Sequence, residues 1–316
     1  MNPLISVIIP THNPNQTRLQ RTLCALKKQT LDQESWELIV IDNLTTDPKY
    51  IPSFDFSWHT STRIIREECL GLTRARLAGI QNSLGNYLVF VDDDNVLYPN
   101  YLKSVIDIFQ NYPQLGAIGG KSLPEFEVPP EPWVKDFWVC LALRDLGEEV
   151  QVYSYKNESI ASKKHPVFAP IGAGMALRYQ AAKDYVDSLG QDSFKLSLDR
   201  TGQNLQSGGD CDINLTLLDA GWGVGYFPEL QLTHLISANR LTKDYLARLN
   251  YASSRSWIQV LNEHNICPWK KILPLTIIPR KMKAFLSYQA WKSPTAFINW
   301  QGACGTFEGL AMLSNK

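Results

Sequence analysis

The segment whose residue types most directly suggest chemistry is Leu88-Val89-Phe90-Val91 followed at once by Asp92-Asp93-Asp94. Four uncharged apolar residues read as a strand buried on both faces, as in a helix-covered parallel sheet. Such sheets take ligands at the carboxyl ends of their strands. Three acids crowded there repel one another. The spacing of Asp92 and Asp94 suits a hard divalent ion, Mg²⁺ or Mn²⁺, of the kind that reaches a protein partly through substrate phosphates. The ordinary alternative is an acidic, solvated turn. Asp42 also follows a buried strand, where a carboxylate can accept hydrogen bonds from a ribose or a base N–H, or simply cap a turn. In Gly208-Gly209-Asp210-Cys211-Asp212, Asp210 opens a helix, either as its cap or as a base aimed into the crevice. His234 offers a neutral imidazole to a metal shell, and Arg240, six residues on, could offset a departing diphosphate. Lone histidines are more often structural. Arg74 and Arg76 stand two apart on one helix and so face different ways: one can reach phosphate while the other is solvated.

These residues need a scaffold, and the apolar pattern supplies one. Leu4 to Ile9, Leu38 to Ile41, Ser61 to Ile65 and residues 87–91 read as strands. Leu19, Leu23 and Leu26 recur at helical spacing; Leu72, Ala75, Ala78 and Gly79 mark a second helix, and Tyr101 to Phe109 a third. The order is that of an α/β fold, a mostly parallel sheet flanked by helices. Gly116 to Gly120 reads as a short strand, Gly172 to Arg178 as a small-residue strand, Tyr179 to Val186 as a helix and 187–207 as a mobile polar stretch. Asp210 starts a helix whose apolar side is Ile213, Leu217 and Leu218 and which Gly221 closes. Trp222 to Phe227 is a strand ended by Pro228. Between 121 and 167 the pattern weakens into an ordered, proline-bearing loop, where Trp133 and Trp138 either stack on a ligand or anchor a core.

Composition narrows the classes. Thirty-one basic and 31 acidic residues cancel, so no global field recruits nucleic acid. Six scattered cysteines without a CxxC pair suit reduced thiols, and neither a signal segment nor a spanning helix is expected. From His234 the chain reads as mostly helical and basic-aromatic. That tail either lies along an anionic membrane surface or packs as an appendage on the core. The first strand leads into Pro10-Thr11-His12-Asn13 rather than a GxGxxG turn, and no GxxxxGK[ST] loop occurs, so the crevice would hold a nucleotide without either loop.

Taken together the motifs resemble those of the inverting, nucleotide-sugar-dependent glycosyltransferases of family 2, with the GT-A fold, in particular members that make surface polysaccharides. The matching segments are 7–13, 40–43, 71–76, 89–94, 172–175 and 209–212, in that order. The resemblance implies a catalytic domain over 1–240, with a nucleotide- and metal-binding half at 1–120 and an acceptor half at 121–240, and a helical extension over 241–316. It implies that Pro10, Thr11 and Asn13 line the nucleotide pocket and that Asp42 reads the base or ribose. Arg74, Arg76, Asp93 and Arg240 would serve the donor. Asp92 and Asp94 look like the DxD pair, Asp94 being the direct metal ligand with His234 nearby, and Asp210 looks like the catalytic base. Gly209 departs from the pattern, since the family keeps a glutamate there. A UDP-sugar is the expected donor and a saccharide or lipid-linked hydroxyl the acceptor. The expected location is cytoplasmic, at the inner face of the membrane where the tail touches it. Two other readings stay open: a non-catalytic nucleotide-sugar- or carbohydrate-binding relative, and a sugar-nucleotide pyrophosphorylase.

Overall fold

Successive residues of the first strand, β1 (Ile5–Thr11), go to opposite sides of a sheet. Ile5, Val7 and Ile9 join one apolar cluster, and Ile8 joins another. The same alternation holds in β2 (Trp36–Asp42), where Leu38 and Val40 part from Ile39 and Ile41. Strands buried on both faces need helices on both faces. One face is covered by α1 (Gln16–Lys27) and α3 (Tyr101–Asn111) through Leu19, Leu23, Leu102, Val105 and Phe109. The other is covered by α2 (Leu72–Gln81), α4 (Tyr179–Leu189) and α5 (Gly209–Asp219) through Ala75, Ala78, Ala181, Tyr185 and Leu217. Asn15 caps α1 by accepting from Arg18 N–H.

The computed structural model describes residues 2–156, 158–159, 162–190, 195–200 and 205–313. The remaining strands are β3 (Thr62–Arg66), β4 (Tyr87–Phe90), β5 (Asn95–Leu97), β6 (Leu115–Phe126), β7 (Gln151–Ser154), β8 (Ala176–Arg178) and β9 (Gly223–Ile236). Among the described residues they form one mixed sheet in the order β3-β2-β1-β4-β8-β6-β9-β5, with β7 also on β9. The β3-β2-β1-β4 half is parallel, β8 runs antiparallel between β4 and β6, and β6 and β9 are parallel. The α/β layout expected from the sequence is the one observed.

Several local expectations change. β6 continues to Phe126 and β9 runs through Pro228 to Ile236, so both outlast the short strands read from sequence. The proline falls where the register jumps from Gly119↔Tyr226 to Lys121↔Gln231, an irregularity that absorbs its missing N–H. The 172–178 strand shrinks to Ala176–Arg178. In 187–207, residues 191–194 and 201–204 lie outside the described set, but Leu198 and Asp199 are buried, so that part is not a solvated stretch. Trp133 and Trp138 pack around Val134, Phe137, Leu141, Ile236 and Leu246, the core-anchor alternative.

The C-terminal region is helical: α6 (Lys243–Glu263), α7 (Ile277–Ser287) and α8 (Pro294–Met312). Helices α6 and α8 approach closely because Gly302 faces Asn250, Gly305 the Tyr251 carbonyl and Gly309 Ile258. A Cβ at Gly305 would overlap that carbonyl. Among the described residues no helix is long and apolar enough to cross a membrane.

Candidate active site

The carboxyl ends of β1 and β4 open onto one cavity. Its wall includes Pro10, Thr11, His12, Asn43, Gly71, Leu72, Arg76, Asp92, Asp93, Asp94, Gly172, Asp199, Arg200, Ser207, Asp210, His234 and Arg240. Residues more than a hundred positions apart meet here because of strand order. The antiparallel pairing of β5 with β9 sets Asn95 opposite His234. That register brings His234 Nε2 to 3.4 Å from Asp94 Oδ1. The short turn 238–241 after β9 then returns Arg240, whose Nη1 donates to Asp94 Oδ2 at 3.2 Å and lies 3.2 Å from His234 Nε2.

The three consecutive acids have three different surroundings. Asp93 is pushed up to about 7 by burial and by the charge of Asp94, although Thr11 donates its hydroxyl to it. Burial raises Asp92 also, against Arg76. Burial works the same way on Asp94, but His234 and Arg240 outweigh it and hold its carboxyl below the usual range. Two of the three carboxyls are thus more readily protonated than usual, and the third less so.

Arg76 forms the far wall. It is buried at the middle of α2, its guanidinium 5.3 Å over the Phe90 ring, 3.2 Å from Asp199 Oδ2 and 3.9 Å from Asp92 Oδ1. Gly172 lies against it, and a Cβ there would have to move the guanidinium. Arg74, two positions away, is half-buried and outside the wall, as the helical spacing demands. Asp210 sits in the first turn of α5; its Oδ2 accepts Gly172 N–H at 3.1 Å and its Oδ1 accepts Cys211 N–H at 2.9 Å.

Two more expected residues, besides Arg74, sit beside the wall rather than in it. Asp42 is buried at the end of β2, accepting Thr45 N–H at 2.8 Å and Arg66 Nη1 at 2.7 Å. Asn13 has a left-handed backbone (φ 47°) and accepts Thr46 N–H at 2.8 Å. Asn43, which joins the wall, fastens the loop before α2 by donating to Cys69 O at 2.8 Å and accepting Gly71 N–H at 2.7 Å.

Asp199 escaped the sequence reading. It accepts from Gly209 N–H at 3.1 Å and from Thr73 Oγ1 at 3.3 Å, besides Arg76. Its carboxylate fills the space that a side chain at 209 would need. The glycine that departs from the motif therefore faces an acid supplied from elsewhere in the chain. Nothing in the polar stretch around Asp199 marks it; only Gly209 hinted that another group belonged there.

A model of glycosyl transferase family 2 matches residues 6–186. The chain belongs to glycosyl transferase family 2. The fold agrees: the structure of S. aureus TarS 1–349 in complex with UDP superposes with a TM-score of 0.53 at 14% identity, covering 98% of this chain and 89% of that one. Among curated relatives, glycosyltransferase AglE of Haloferax volcanii is 33% identical over 94 residues, 29% of this chain and 31% of AglE. WfgD of Escherichia coli, a UDP-Glc:alpha-D-GlcNAc-diphosphoundecaprenol beta-1,3-glucosyltransferase, is 27% identical over 105 residues, 33% of this chain and 40% of WfgD. These matches cover well under two thirds of either relative's length.

No group of three or more His, Cys, Asp or Glu side chains arranged to hold a metal occurs among the described residues. The carboxylate set nevertheless fits Mg²⁺ or Mn²⁺ of the kind held by one or two carboxylates and completed by substrate phosphate and water. Arg76 Nε, Arg240 Nε and His234 Nδ1, on residues of the cavity wall, are buried without a hydrogen-bond partner.

Proposed function

We propose that this family 2 member is an inverting, metal-dependent glycosyltransferase. It moves a sugar from a nucleoside-diphosphate sugar, a UDP-sugar first among them, to a hydroxyl of a saccharide or lipid-linked acceptor in polysaccharide synthesis. It would work at the cytoplasmic face of a membrane. The observation that carries this reading is that Asp92, Asp94 and Asp210 share one cavity, with Arg76 and Asp199 in its wall. Asp92 and Asp94 would hold the divalent ion, with His234 beside them, and the ion supplies charge neutralisation to the donor diphosphate. Pro10, Thr11, Asn13 and Asp42 would take the nucleoside, and Arg74, Asp93 and Arg76 complete the donor side.

Asp210 takes the proton of the acceptor hydroxyl while that oxygen bonds to the anomeric carbon. The bond from that carbon to the diphosphate oxygen breaks, and its electron pair leaves with the nucleoside diphosphate. One displacement inverts the configuration. Arg240 and Arg76 offset the leaving charge, help that matters most in the transition state. Arg240 already spans Asp94 and His234, so it is held in place before the donor arrives.

The test is nucleoside-diphosphate release with Mn²⁺ and an acceptor. Asp210→Asn is expected to slow it by about 10²–10⁴-fold while donor binding stays unchanged. Undiminished turnover in that variant would refute the role of Asp210. The binding-relative alternative draws on Gly209 in the place of the family's glutamate and predicts metal-dependent donor binding without turnover on any acceptor. Family membership leaves little to favour a pyrophosphorylase.

A further inference from the structure

The segment 269–291 departs from how the rest of the chain treats apolar side chains. Of the 18 large hydrophobic residues exposed among the described residues, eight fall within these 23 positions: Trp269, Leu273, Leu275, Ile278, Met282, Leu286, Tyr288 and Trp291. Leu275 is 91% exposed, Leu273 71% and Ile278 70%. Ile278, Met282 and Leu286 are spaced i, i+4, i+8, so they make one stripe along α7. The helix is not loose. Its buried Ala284, its Phe285 edge-on to Trp300 at 5.1 Å and the 3.0 Å bond from Trp300 Nε1 to the Lys281 carbonyl fix it on α8. The fold thus anchors α7 by one side and holds its apolar stripe outward.

Charge adds a second, independent observation. Between Glu263 and Glu308 the chain has no acid but six lysines and arginines, at 270, 271, 280, 281, 283 and 292, in a protein of zero net charge. Lys281 pairs with Glu308 at 2.5 Å; the other five are exposed.

We propose that α7 and its flanking loops seat on the surface of an anionic lipid bilayer, the stripe entering the acyl boundary while the cations meet headgroups. Helices that lie in an interface combine these two features, an apolar face and basic flanks. Trp269, Tyr288 and Trp291 suit the boundary itself, where amphipathic rings concentrate. A second copy of the chain is the poorer occupant, because a symmetric contact would bring cations against cations with no acid to answer them. The proposal does not depend on the catalytic reading, since binding is measured without turnover.

Cosedimentation of the full chain with vesicles tests it. Phosphatidylcholine vesicles containing phosphatidylglycerol should bind at least tenfold more tightly than phosphatidylcholine alone, and added salt should weaken this. Ile278→Ser/Met282→Ser/Leu286→Ser should reduce binding at least tenfold. Lys270→Gln/Lys271→Gln/Lys283→Gln should reduce it on the order of a hundredfold, at about fivefold per charge, and supplies an independent reading if the serine variant melts early. Equal binding to both vesicle types, or serine-variant binding like wild type in a folded protein, overturns the proposal. So does a dimer that the serine variant dissociates while vesicles bind neither form; the face would then belong to a second copy.

Discussion

Two regions of this molecule break the ordinary sorting of residues, in opposite directions. At the sheet edge, charge is drawn inward: Arg76, Asp199, His234 and Arg240 are buried around three consecutive acids. In the helical tail, apolar side chains are turned outward on a rigid α7. Buried charge is costly unless paired, and exposed apolar surface is costly unless covered. The crevice answers most of its cost internally, through His234, Arg240 and Arg76. Among the described residues the α7 stripe has no cover, and the proposed bilayer would supply it. On the proposed reading, one site is preorganised for a small ligand, while the other is half of an interface.

Removing charge from the crevice should therefore be the most damaging change. Asp94→Ala strands Arg240 and His234 beside each other and should cost about 3 kcal/mol of stability, read as a fall in denaturant midpoint. A loss below about 1 kcal/mol would mean that the cluster is solvated rather than buried.

Gly209→Ala comes next. Its Cβ must displace the Asp199 carboxylate, which should cost about 2 kcal/mol and loosen Arg76. The sharper form is a double-mutant cycle. In an Asp199→Gly background, Gly209→Ala should be nearly silent, because the obstructing group is gone. Additive losses would separate the two residues.

His264 ties the two regions together, with Nε2 2.9 Å from Asp212 Oδ1 on α5 and Nδ1 2.8 Å from Asp219 Oδ2. Burial opposes its charge, but the hydrogen bonds to both acids prevail and raise it above its ordinary value. A group raised by folding stabilises fully below its unfolded value, about 6.5, and loses that contribution as pH climbs through the folded one. His264→Gln should thus cost about 1 kcal/mol at pH 6, with the gap closing toward pH 9. A gap that widens with pH would reverse the assignment.

The smallest effect belongs to the tail. The triple serine variant at 278, 282 and 286 should change stability by no more than about 0.5 kcal/mol, since those side chains are already in water. A large loss would show that the stripe is covered within the chain.

Much of the crevice was legible from local pattern. Apolar runs ending in Asp42 and Asp92 fixed the strand ends, and two-residue spacing separated Arg74 from Arg76. Asp94, His234 and Arg240 could be named singly, but their contact depends on β5 pairing with β9, a register that no short window encodes. Asp199 was illegible because its meaning is a volume, the one left by Gly209, and volumes appear only after folding. Likewise β9 looked finished at Pro228, since the bulge that tolerates the proline is a property of the pair. In the tail, the basic-aromatic composition left two alternatives, and only the packing of α7 on α8 shows which side chains stay outside.

In the proposed mechanism the 92–94 turn holds the donor diphosphate through a divalent ion while Asp210 acts across the sugar. Calorimetric titration of UDP into the protein with and without Mn²⁺ tests it most directly, run on wild type, Asp94→Asn and Asp210→Asn. The account predicts Mn²⁺-dependent binding in wild type and Asp210→Asn, and its loss in Asp94→Asn. Binding indifferent to Mn²⁺, or abolished equally by both substitutions, would contradict it.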